Sequence, residues 1–233
     1  MKIKGLQKLT LIDYPNKFAA TIFLFGCNFR CGFCHNPELV LKDDEEFFSK
    51  REVLDFLKKR IGMLDGVCIT GGEPLLTLEE DFLREIKSLG FLIKIDTNGS
   101  FPEKLQNLIN KKLVDFIAMD LKTSREKYNE VANSQVDLEK IEQSLRMIIN
   151  SDLNYEFRTT IVENIHSKED LVLMGKWVNE IVGRKPKILV LQKFKNSGKF
   201  IDEKFLKIND TSENFIQELK FAVREFFDEV RIR

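Results

Sequence analysis

At 233 residues the chain is long enough to bury a substantial core, as one large domain rather than two small ones. Hydrophobic residues make up 43% and charged residues 32%, a globular composition that excludes wholesale disorder. Lys plus Arg and Asp plus Glu stand at 37 each, so no overall field draws the chain to nucleic acid or an anionic membrane, which leaves only a local basic patch open.

The first 18 residues, MKIKGLQKLTLIDYPNKF, lack the continuous apolar core of a signal peptide and read as an extension leading into the first strand. No apolar run nears the roughly 20 residues a membrane helix needs, and the chain reads as cytoplasmic. Short β-branched and aromatic runs then predict strands at 19–25, 66–70, 91–96, 114–119, 155–162 and 187–192. Their near-continuous hydrophobicity suits strands covered on both faces, as in a parallel sheet.

Between the strands lie helices with readable starts. Ser49 with Glu52, and Thr77 with Glu80, have the spacing of capping boxes, each opening an apolar stripe that Gly62 or Gly90 ends. The segment 42–50 reads as a charged surface loop before the first of these helices. Further helices are predicted over 102–112, 137–150 and 167–182, and a last one over 212–230. Strand and helix alternating six times, with right-handed crossovers, predict an α/β domain. A full eight-unit barrel takes about 250 residues, so six units predict an incomplete barrel or an open doubly wound sheet. The expected division is 1–18 extension, 19–192 six βα units, and 193–233 C-terminal loop and helix, all in a single domain.

The unusual residues fall at strand ends, where α/β folds gather their ligands. Strand one runs into GCNFRCGFCHN, strand two into GGEP, strand three into DTNGS and strand four into MDLK. Cys27, Cys31 and Cys34 sit inside eight positions, a spacing that suits metal-binding thiolates better than a disulfide framework. Three cysteines leave one corner of an iron–sulfur cubane open, whereas a zinc site would need Cys68 or His35 to complete it. Cys68, inside the apolar run GVCIT, reads as a core residue. Gly71 and Gly72 remove side chains so that a backbone can approach a ligand, and Glu73 adds a carboxylate; a tight turn is the bland alternative. Arg158 lies in an apolar strand, where an unpaired charge is costly, so it should face a polar cavity or an ion partner. His166 reads as a loop residue, and Trp177 and the 20 phenylalanines as core.

CxxxCxxC with Phe33 before its third cysteine, followed by GGEP, resembles the radical S-adenosylmethionine (SAM) superfamily. The opening segment GLQKLTLIDYPNKFAATIFLFGCNFRCGFCHNPEL resembles the longer form of the activating proteins of anaerobic ribonucleoside-triphosphate reductase, and the likeness extends through DTNG and DLK to about Val162. The resemblance implies a partial (β/α)6 TIM-like barrel of the radical SAM type. By it, Cys27, Cys31 and Cys34 hold a [4Fe–4S] cluster, Phe33 lies near the SAM adenine, and Gly71, Gly72 and Glu73 receive the methionine amino group. Asp96, Thr97 and Asp120 line the methionine end, with a monovalent cation among them, and Lys122 meets the SAM carboxylate or ribose. A turn at Asp96 and a solvated loop at Asp120 and Lys122 are the bland alternatives. Arg158 is a candidate for contact with SAM or the peptide substrate, and His35 for an influence on the cluster.

The activity so implied is reductive cleavage of SAM to a 5′-deoxyadenosyl radical, which takes a hydrogen atom from a glycine of a large partner. The implied partners are anaerobic ribonucleoside-triphosphate reductase and an external one-electron donor such as a flavodoxin or ferredoxin. Activation of pyruvate formate-lyase, radical chemistry on a small molecule, and a zinc-stabilised interaction module are the alternatives. Activators of pyruvate formate-lyase tend to carry a histidine after the sixth strand, where this chain has Leu191-Gln192-Lys193-Phe194, so no SAM contact is assigned there. No second cysteine-rich insert follows Cys34, which departs from activators bearing a ferredoxin-like domain.

Overall fold

The computed structural model describes residues 1–41 and 48–233, so positions 42–47 of the expected charged loop lie outside the described residues. The chain divides into two units. One comprises Met1–Asn28, Asn36–Thr97 and Glu103–Ala118; the other comprises Phe29–His35, Asn98–Pro102 and Met119–Arg233.

In the first unit, β1 (Ile3–Thr10) runs antiparallel to β2 (Ala19–Leu24). After α1 (Glu38–Leu41) and α2 (Lys50–Lys58), β3 (Gly66–Gly71) lies parallel to β2, with Ala19 opposite Gly66 and Leu24 opposite Gly71. The short α3 (Pro74–Thr77) and α4 (Glu80–Ser88) lead to β4 (Leu92–Thr97), parallel to β3. Next come α5 (Pro102–Asn110) and β5 (Phe116–Asp120), and the Asp115 N–H donates to the Ile93 carbonyl at 2.8 Å. Val67, Cys68, Ile69, Ile93 and Ile95 are fully buried, which is why these strands carry no polar alternation. Each such aliphatic side chain contributes roughly 1.5–3 kcal/mol by leaving water.

In the second unit, α6 (Tyr128–Ala132) and α7 (Leu138–Asn150) precede β6 (Asn154–Ile161), where the Leu121 N–H donates to the Arg158 carbonyl at 2.8 Å. After α8 (Lys168–Val182), β7 (Ile188–Lys193) pairs parallel with β6. A 3₁₀ turn (Glu203–Lys207) and α9 (Glu213–Val223) lead to β8 (Glu229–Ile232), parallel to β7.

All six expected strands form. Two more were not expected. In β1 only Ile3 and Thr10 are buried, so the strand has no apolar alternation to read. The helix expected over 212–230 stops at Val223, and Val230 instead pairs with Leu189 in the sheet. Ser49 and Glu52 form the expected capping box, but Thr77 and Glu80 do not. Pro74, with Glu73 as its cap, starts a separate turn that Thr77 ends, and α4 begins at Glu80. Among the described residues no helix is long and apolar enough to cross a membrane.

Candidate functional site

In the first unit, parallel register brings the ends of β2 and β3 together where GGEP begins. Gly71 has φ +126°, and a Cβ there would lie 2.2 Å from the Leu24 carbonyl oxygen. A Cβ on Gly72 would lie 2.0 Å from the Gly26 carbonyl oxygen and 3.1 Å from the Cys27 nitrogen. The Gly72 N–H donates to the Leu24 carbonyl at 2.9 Å and the Glu73 N–H to the Gly26 carbonyl at 2.8 Å. In the structure the glycine pair admits the backbone that enters Cys27.

Glu73 is fully buried. Its Oε1 accepts from the Leu75 N–H at 3.0 Å, capping α3, and from the Thr97 hydroxyl at 2.9 Å. The expected carboxylate is thus held rigidly, with its reach defined by the ends of β3 and β4. Asp96, next to Thr97, bonds the ammonium of Lys94, which lies two residues earlier on the same face of β4. Lys94 is 0% exposed, and its Nζ sits 3.7 Å from the sulfur of Cys68, its cross-strand neighbour. The Phe116 ring centroid lies 5.9 Å from the same ammonium. Cys68 is therefore a core residue of β3, as the sequence indicates. Lys94 was missed, although a charge inside the apolar run FLIKID is the same signal that singled out Arg158.

In the second unit, the stretch Phe29–His35, which carries Cys31 and Cys34, is pinned from several sides. The Cys34 N–H donates to the Cys31 carbonyl and the Arg30 N–H to the Ala132 carbonyl, both at 3.0 Å. The Asp202 N–H donates to the Gly32 carbonyl at 3.1 Å, and a Cβ on Gly32 would lie 2.7 Å from the Phe205 ring. Phe33 meets Phe205 edge to face at 6.0 Å between centroids. His35 packs against Phe194 at 5.5 Å and Phe200 at 5.8 Å, and burial holds its ring pKa below the ordinary value. The segment after β7, to which the sequence assigns no role, thus supplies an aromatic wall for the cysteine loop. A cleft of about 550 Å³ borders this wall, lined by Gly32, Phe33, Phe205 and Lys127 among others.

At the end of β5, Asp120 accepts from Arg158 Nε at 2.9 Å and from Lys122 Nζ at 3.1 Å. Burial works against the carboxylate, but Arg158 and Lys122 outweigh it and hold Asp120 at about 2. Arg158 thus has the ion partner that a charge in an apolar strand calls for. Burial likewise disfavours the Lys122 ammonium, yet Asp120, and Cys31 as its thiolate, raise its pKa above the ordinary lysine value. Burial pushes the Cys31 thiol up, opposed by Lys122. His166, read as a loop residue, is buried: its Nδ1 accepts from the Val162 N–H at 3.1 Å and its Nε2 bonds the Lys122 carbonyl at 2.8 Å. It fixes the backbone that carries Lys122. By their chemistry Cys27, Cys31 and Cys34 are the donor set of a [4Fe–4S] cluster that would keep one iron for an outside ligand.

The family model described as the radical SAM superfamily matches residues 21–172, more than half of the chain. A Methanocaldococcus jannaschii protein provisionally named a glycyl-radical enzyme activating enzyme is 35% identical, over 99% of this chain and 95% of that one. The pyruvate formate-lyase-activating enzyme of Listeria monocytogenes is 32% identical over 136 residues, 52% of this chain and 53% of that enzyme. Among solved structures, Streptococcus suis SuiB bound to S-adenosylmethionine shares the fold with a TM-score of 0.67 at 14% identity, over 91% of this chain and 48% of SuiB. This chain thus spans about half the length of SuiB and nearly all of the Methanocaldococcus protein. The expected fold class, an α/β partial barrel of the radical SAM type, holds. The chain belongs to the radical SAM superfamily, enzymes of oxidoreductase type that use a [4Fe–4S] cluster and SAM.

Proposed function

Proceeding from that membership, we propose that the chain activates a glycyl-radical enzyme, and that its target is anaerobic ribonucleoside-triphosphate reductase. The observation that carries the activation is the 35% identity to the Methanocaldococcus protein, sustained over 99% of this chain and 95% of that one. The opening segment through GCNFRCGFCHNPEL favours the reductase as target.

Cys27, Cys31 and Cys34 are assigned to the cluster, and Phe33 to the adenine end of SAM. Held by those three cysteines and reduced by an external donor such as a flavodoxin or ferredoxin, the cluster would supply the one-electron reductive chemistry on SAM that the oxidation of a partner glycine requires. The residues do the positioning. Gly71 and Gly72 keep the approach to Cys27 free of side chains, and Glu73, held by Leu75 and Thr97, offers acceptors to the methionine ammonium. Asp96, Thr97 and Asp120 line that end of SAM, and Lys122, its charge reinforced by Asp120, meets the carboxylate or ribose. Phe205 and its aromatic neighbours exclude water from the cysteine loop.

Activation of pyruvate formate-lyase is the second reading, favoured by the Listeria similarity over half of each chain. Electron paramagnetic resonance separates the two. The reduced, reconstituted protein with SAM should give a glycyl-radical doublet on the reductase; a doublet on a formate-lyase alone would reassign the target. No conversion of SAM to 5′-deoxyadenosine would overturn the activase reading altogether.

A further inference from the structure

The resemblance that brings Asp96 and Asp120 to the methionine end of SAM also implies a monovalent cation there, and the residues of this chain do not fit one. In the first unit, the carboxylate of Asp96 already bonds the ammonium of Lys94. That ammonium is 0% exposed and has the Cys68 sulfur and the Phe116 ring beside it, so it has no aqueous alternative to its carboxylate partner. In the second unit, Asp120 is held by two cations, Arg158 at 2.9 Å and Lys122 at 3.1 Å.

We infer that Lys94 is a built-in counter-cation, a positioning residue that sets Asp96 in place of a bound sodium or potassium ion. The inference rests on the proposed placement of Asp96 at the methionine end of SAM. A metal cation within about 4 Å of an ammonium is repelled strongly enough, at an effective dielectric near 20, to weaken its binding about a thousandfold. Lys94 and a monovalent ion are therefore alternatives at Asp96. A fixed ammonium also frees SAM binding from the salt composition of the medium, because nothing has to be recruited from solution.

The test uses the full chain, reconstituted with its cluster and mixed with SAM, in sodium, potassium or tetramethylammonium chloride. For the wild-type protein the sodium NMR line should show no excess broadening, and 5′-deoxyadenosine should form at the same rate, within about twofold, in all three salts. Lys94→Met should broaden the sodium line, with potassium displacing the effect and raising its rate of SAM cleavage by about tenfold or more. Lys94→Gln serves the same purpose if the methionine variant does not fold. A loss of packing alone would lower the melting temperature of either variant without creating a sodium signal. Sodium broadening by the wild type, about tenfold activation of it by potassium, or a folded Lys94 variant without sodium binding would each overturn the inference. Absence of SAM cleavage in every salt would overturn the proposed function instead, and the sodium signal would still decide the role of Lys94.

Discussion

Gly72 and Gly26 meet backbone to backbone: a methyl group on Gly72 would lie 2.0 Å from the Gly26 carbonyl oxygen, one residue before Cys27. No rotamer relieves that overlap, because both partners are main chain. Gly72→Ala should therefore displace the start of the cysteine loop, at a cost of about 1–3 kcal/mol from overpacking. The expected outcome is a folded protein that retains less than half the wild-type iron and sulfide after reconstitution, measured by metal analysis and visible absorption. Full iron content in a folded Gly72→Ala protein would show that the loop entry tolerates the shift.

The pair of Asp120 and Arg158 is a partly buried charge contact at 2.9 Å. Removing one partner leaves the other charge poorly solvated, so Arg158→Met should cost about 3 kcal/mol. Asp120→Asn should cost a similar amount, since it leaves Arg158 and Lys122 side by side with a neutral amide. Urea denaturation of both single variants and the double variant gives the coupling. The double variant is expected to lose at least about 1 kcal/mol less than the sum of the two, and strict additivity would contradict the pairing.

His166 makes stability depend on pH in a definite direction. Burial holds its folded-state pKa below the ordinary value, so the imidazole is neutral in the fold and the unfolded chain takes up the proton first. The stability it contributes is fully present above the unfolded pKa of about 6.5 and falls as the pH drops through that value, by up to about 1.4 kcal/mol per pH unit. His35, also lowered by burial, acts with the same sign. Urea midpoints between pH 8 and pH 5.5 should fall more steeply for the wild type than for His166→Gln. Equal slopes would mean that His166 is not buried neutral.

Two hydroxyls with similar sequence settings should respond oppositely. Ser49 accepts from the Glu52 N–H at 3.2 Å in a complete capping box, so Ser49→Ala should cost about 1 kcal/mol. The Thr77 hydroxyl is buried with no hydrogen-bond partner among the described residues. Thr77→Val keeps the shape and removes an unsatisfied group, and should be neutral or stabilising by up to about 1 kcal/mol. Thermal melts of the two variants check both signs.

Phe205→Ala opens the aromatic wall of the cysteine loop, where Phe205 meets Phe33, Phe194 and Phe200. A loss of about 3–5 kcal/mol in stability is expected. Faster bleaching of the reconstituted cluster in air than in the wild type is the second expected outcome, read by absorption. An unchanged bleaching rate would mean that the wall does not shield the loop.

The sequence by itself determined the positions of β2 to β7, because a strand buried on both faces is written as a local apolar run. It also determined which residues stand at the strand ends, since Cys27, Glu73, Asp96 and Asp120 lie at or within three residues of the ends of those runs. β1 was not legible because most of its side chains face outward, and β8 because its four residues are a strand only by pairing with β7. The same holds for the site. That Lys94 neutralises Asp96, that His166 pins Lys122 across 44 residues, and that Phe205 walls Phe33 are facts about partners distant in the chain or across a strand face. Only the tertiary structure decided them, because a charge or a ring takes its role from what it meets, and local pattern records only where it starts.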